Sequence, residues 1–98
     1  MKQTFVIIFL IIGINLSADL VMDGMAAHRV GNYEEANKFY TQSCDQGNAK
    51  GCLHLGALYS LGHGTDRNID IANKYFQKSC EAGNKKGCEL YKFYSEKH

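Results

Sequence analysis

Apolar and polar residues follow one another along this chain at helical spacing, and the same arrangement returns further on. Tyr33, Ala36, Phe39-Tyr40 and Ser43-Cys44 fall on one helical face. Ile69, Ala72, Tyr75-Phe76 and Ser79-Cys80 repeat that face. Between them, Cys52, Leu55-Gly56 and Tyr59 make a second stripe, echoed by Cys88, Tyr91 and Ser95. Leu20, Asp23-Gly24 and Ala27 form a weaker first copy. The pattern predicts an all-α chain with helices over 19–30, 33–46, 49–61, 69–82 and 85–96. Gly47-Asn48 and Gly83-Asn84 supply helix ends, where glycine takes up the left-handed cap without penalty. Gly31 and Gly62–Gly64 mark the other turns.

The recurrence has a fixed period. Cys44 and Cys52 return as Cys80 and Cys88, a shift of 36 in both cases. Of the 17 positions from Ala36 to Cys52, 10 are identical one period later. Unrelated sequence of ordinary composition would match at roughly one. A period in the mid-thirties is the mark of a solenoid built from helical pairs. Upstream, the stretch from Leu58 to Arg67 is longer and richer in glycine than its counterpart from Ala27 to Gly31, as a loop insertion on one face would make it.

The cysteines follow from this layout. Cys44 stands near the end of one helix and Cys52 about a turn into the next. Two antiparallel helices joined by a tight Gly-Asn turn bring such positions opposite each other, within the Cα separation a disulfide needs. Each ring of about nine residues is worth roughly 2.5 kcal/mol in the chain-entropy account. Zinc is the alternative for these sulfurs. It usually takes close pairs such as Cys-x2-Cys, and this chain has none. Cys-x-x-Cys, the redox-active spacing, is absent as well.

The N-terminus reads as a secretory signal peptide over 1–18. Lys2 opens it, Phe5 to Ile14 is an apolar run broken only by Gly13, and Ala18 precedes Asp19. Leu16 is an unfavourable residue at the third position before the cleavage point. The alternative is an uncleaved anchor, the only way this chain would meet a membrane; the run is short of the roughly 20 residues a span requires. One domain, 19–98, would remain. Without Lys2 it carries 10 basic and 10 acidic residues, which argues against nucleic acid or an anionic membrane as partner. Aromatic residues at 11% with no Trp and no Pro fit a small helical domain. A domain of that size has little core to spare, so the staples read as structural, in a compartment that permits disulfides.

Three sequence features together resemble a known family. They are Leu55-Gly56-x-x-Tyr59-x-x-Gly62-x-Gly64, the run Asp70-x-Ala72-x-x-Tyr75-Phe76-x-Lys78-x-Cys80-x-x-Gly83, and the two Cys-x7-Cys units. The chain resembles the Sel1-like repeats, relatives of the tetratricopeptide repeats, and more closely the cysteine-rich Sel1-repeat proteins of Helicobacter and Campylobacter. The likeness is good from Tyr33 to Tyr94 and loose from Asp19 to Gly31. It implies a right-handed α-solenoid of about two repeats plus a terminal helix, one disulfide per repeat, secreted or periplasmic. It also implies a concave face for protein or peptide ligands. On that face Lys50, Leu53, Ala57 and Ser60 form one stripe, and Lys86, Glu89, Phe93 and Glu96 its equivalent. Lys50, Leu53, Ala57, Lys86 and Phe93 are the candidate binding residues, with the lysines placed to hold an acidic group.

The same resemblance implies a different function. Its members are described as penicillin-binding proteins with weak β-lactamase activity, which would make a β-lactam or peptidoglycan-like small molecule the ligand. No residues here carry that chemistry. Ser-x-x-Lys, Ser-Asp-Asn and Lys-Thr-Gly are all absent, and no His-Glu-x-x-His supplies a metal. His28, His54, His63 and His98 look dispersed, and Ser43 and Ser79 sit beside cysteines. The sequence assigns no catalytic residue, no metal ligand and no cofactor.

Overall fold

A computed structural model describes residues 20–97; the signal segment expected over 1–18 lies outside the described residues. Five helices make up the described chain, with no strand among them. Residues 20–29 are α1, followed by α2 (Tyr33–Asp45), α3 (Ala49–Leu61), α4 (Ile69–Glu81) and α5 (Lys85–Lys97). From α2 onward each helix packs chiefly on the next along the chain. This is the expected stack of helical pairs, and the boundaries fall within a residue or so of the sequence reading.

Short turns join the pairs because glycine and asparagine divide the work. Gly47 and Gly83 have φ of +88° and +102°, conformations that residues with a Cβ rarely adopt. Each ends its helix in a Schellman turn: Gly47 N–H donates to Cys44 O and Asn48 N–H to Ser43 O, with the same bonds at Gly83 and Asn84. The asparagine then starts the next helix. Asn48 Oδ1 accepts from Gly51 N–H at 3.1 Å and Asn84 Oδ1 from Gly87 N–H at 3.0 Å.

Beside these turns the helices come unusually close. Cα–Cα distances are 4.5 Å for the Cys44–Cys52 disulfide and 4.4 Å for Cys80–Cys88. Glycine allows the approach. A Cβ on Gly51 would lie 2.7 Å from Ser43 Cβ and 2.9 Å from Cys44 N, and Gly87 stands in the same relation to Ser79 and Cys80. The Ser-Cys pair of one helix thus interlocks with the Gly-Cys pair of the next.

The core runs along α2, α3 and α4 through Ala36, Tyr40, Cys44, Cys52, Leu55, Leu58, Ala72 and Phe76. Leu58, 1% exposed, was not on the expected stripe. α3 is gripped by a helix on either side, so it buries more than one stripe, as a helix apolar almost all round does. Gly24 and Gly56 mark equivalent crossings, where Tyr40 and Phe76 press against backbone with no Cβ between. Phe76 also stacks on Tyr94, and Tyr59 on Tyr75.

Candidate functional site

A groove of about 370 Å³ opens between α1 and α3, lined by Met22, Met25, Lys50 and Leu53 together with Asn48, His54 and Asn84. α1 contributes the buried Val21 and the exposed Met22 and Met25 to it. Met22 is 66% exposed and Met25 41%, a large apolar surface for one short helix. A second depression of about 330 Å³ continues it. Met25 and His54 belong to both, and His28, Arg29 and Tyr40 complete the second.

His54 is fixed by stacking on Tyr40, ring centroids 5.0 Å apart. Burial lowers its pKa, and the positive charges of His28 and Lys50 lower it further. Burial also pushes the Tyr40 phenol up.

The candidate binding residues separate in space. Lys50 and Leu53 line the groove. Ala57, half-buried one turn further along α3, does not. Lys86 lies on α5, with its Nζ 3.9 Å from Glu89 Oε2. Phe93 is half-exposed on α5 and meets Tyr94 edge-on at 5.1 Å. The sequence reading missed the share of α1. Met22, Met25 and Arg29 recur at helical spacing, a signal that the expected stripe of Leu20, Asp23-Gly24 and Ala27 leaves out.

His28 and His63 are not dispersed, which corrects the sequence reading for that pair. His28 and His63 meet, and Tyr33 stacks on His63 with centroids 4.4 Å apart. The loop after α3 folds back over the α1–α2 turn and brings them together. His98 lies outside the described residues.

Ser43 and Ser79 are fully buried. Ser79 Oγ donates to Ala49 O at 2.8 Å, so this hydroxyl serves helix packing. Neither serine can meet a substrate from solvent. Among the described residues no three His, Cys, Asp or Glu side chains gather as a metal site, and no helix is long and apolar enough to cross a membrane.

Comparison with known proteins matches this architecture. The chain is 33% identical over 51 residues to "Putative beta-lactamase HcpC" of Helicobacter pylori, covering 52% of this chain and 18% of that protein. It is 38% identical over 42 residues to "Putative beta-lactamase HcpE" of the same species, covering 43% of this chain and 12% of that one. The matched stretches thus span less than a fifth of these relatives' length. The Sel1 repeat profile matches residues 16–48 and 49–84. Cys44 falls in the first unit and Cys52 in the second, so that bridge joins two units, and Cys80–Cys88 likewise leaves the second. With the repeat matched over most of its length, the helical pairs in place and both bridges formed, the chain belongs to the Sel1 repeat family.

Proposed function

We propose that this chain is a disulfide-stapled interaction module that works outside the cytoplasm and holds an extended segment of a protein partner in the groove between α1 and α3. The groove carries the reading. Its apolar walls suit partner side chains, and methionine adapts to varied shapes. Asn48 and Asn84 line it one repeat apart. Their Oδ1 atoms are committed to the Gly51 and Gly87 amides, which leaves each side-chain NH2 for the carbonyls of an extended backbone. The two disulfides and the named relatives support a periplasmic or secreted setting.

β-Lactam hydrolysis is the second reading, and it rests on the relatives' names. The buried Ser43 and Ser79 weigh against it.

Selection from a displayed peptide library on the oxidised protein tests the first reading. Selected peptides should lose binding to Met25→Asp and Leu53→Asp variants that keep full helicity. Phe93→Asp, outside the groove, should still bind. Retained binding by both groove variants would refute the reading. Nitrocefin turnover by the same preparation would instead favour the second.

A further inference from the structure

We infer that the groove selects acidic segments: its partner carries glutamate or aspartate among apolar residues, and these carboxylates sit against Lys50 and Arg29. The inference rests on the groove's role as a peptide site and adds the chemistry of what it takes.

The charge distribution carries it. Across the two joined depressions the charged lining side chains are Lys50 and Arg29, both cationic, with the imidazoles of His28 and His54 in the same lining. Among the described residues no carboxylate lines either one. The whole chain is almost neutral, at +1, so this is local concentration and not general basicity.

The repeat supplies its own control. Lys86 is the counterpart of Lys50 one period later, and Glu89 stands three residues after it as an ion-pair partner. Three residues after Lys50 the chain has Leu53. The same lysine thus has an acidic neighbour on α5 and an apolar one on α3. His54 stands among them: burial lowers its pKa first, and His28 and Lys50 lower it further. A groove in which cations crowd one another gains most from an incoming anion. Met22, Met25 and Leu53 lie within reach of the same ligand, so an acidic residue next to an apolar one meets both kinds of wall.

The test uses three synthetic peptides of equal length. Each holds leucine at the same places, with Glu, Gln or Lys at the others. Fluorescence anisotropy is read on the full oxidised protein. The Glu peptide should bind, with the Gln peptide about tenfold weaker and the Lys peptide weaker still; added salt should narrow the gap, because exposed charges are screened. Arg29→Glu with Lys50→Glu should reverse the order. Both side chains are exposed, so the double variant should keep its helicity and its disulfides. Equal binding of the Glu and Gln peptides, unmoved by the charge reversal, would overturn acidic selection and leave the groove standing. No binding by any of the three would remove the groove as a peptide site and this inference with it. A single-stranded oligonucleotide that bound as tightly as the Glu peptide, and was lost in the same variant, would also overturn the inference, because it would assign the site to polyanions at large.

Discussion

His28 Nε2 lies 3.3 Å from His63 Nδ1, although 35 residues separate them in sequence. The tautomer decides which ring N–H donates and which ring nitrogen accepts. Tyr33 stacks on His63, the two rings within 14° of parallel. Gly64 passes so close to Tyr33 that a Cβ there would fall 2.8 Å from the tyrosine carbonyl carbon. The loop between α3 and α4 is thereby fastened onto the turn between α1 and α2.

Removing this fastening should loosen the loop before the fold. His63→Ala is expected to cost about 1–2 kcal/mol, the scale of one hydrogen bond and one ring contact. Amide exchange should speed up over Gly62–Asn68 and stay slow in α4. His63→Phe, which keeps the stack and loses the hydrogen bond, should fall between the two. Equal exchange in all three proteins would mean the loop is held elsewhere.

The interlock at the helix necks predicts a severe effect from a single methyl. Gly51→Ala places a Cβ against Ser43 and the Cys44 backbone, and neither can move without opening the turn. A loss of roughly 2–3 kcal/mol is expected, typical of overpacking at a rigid site. Urea denaturation measures it, and a thiol count should show whether the Cys44–Cys52 bridge still forms. Gly31→Ala makes a useful contrast: open space surrounds that site, so its cost comes from φ of +83° alone.

The two disulfides should not be reduced together. Cys44 and Cys52 are 5% and 3% exposed, inside the core, whereas Cys80 and Cys88 are only half-buried. A thiolate must reach sulfur to exchange, so dithiothreitol should open Cys80–Cys88 first. Timed alkylation with peptide mapping would show it. Cys80→Ser with Cys88→Ser should cost about 2.5 kcal/mol, with the loss of order greatest in α5.

His54 should make the protein less stable in mild acid. Its pKa in the folded state lies below the ordinary value near 6.5, first because of burial and then because of His28 and Lys50. The unfolded chain therefore binds the proton more readily. Above that ordinary value the imidazole is neutral in both states and has no effect. Stability then falls as pH drops through it, and the loss stops growing once the folded-state value is passed. His54→Phe keeps a ring against Tyr40 and removes the titration. Denaturation midpoints between about pH 7 and pH 5 should decline less in this variant than in the parent protein. A matching decline in both would assign the acid sensitivity to another group.

Local signals made much of the fold readable from the residues alone. A helix end needs only Gly47 and Asn48, and the period needs only the return of Cys44 and Cys52 as Cys80 and Cys88. The groove was half-readable. Lys50 and Leu53 belong to a recognisable copy of the repeat, whereas Met22 and Met25 lie on a helix whose match to the others is faint. The His28–His63 contact had no signal of its own. It depends on where an irregular loop lands, and that loop is the one stretch where the 36-residue register breaks. Leu58 lies off the expected stripe for another reason: α3 has neighbours on both sides and buries more than one face.

The disulfides cross from one repeat unit into the next, and this changes the statistical mechanics of the array. In an ordinary solenoid, each repeat folds according to its intrinsic stability plus a nearest-neighbour interface term, much as spins couple along a line. Here that coupling is covalent. A domain wall, with one unit folded and its neighbour melted, would have to form across a bridge that holds both sides of the junction at a Cα distance of 4.5 Å. Oxidation thus sets the coupling constant of the chain. The oxidised array should melt in one step, and reduction should let its ends fray independently.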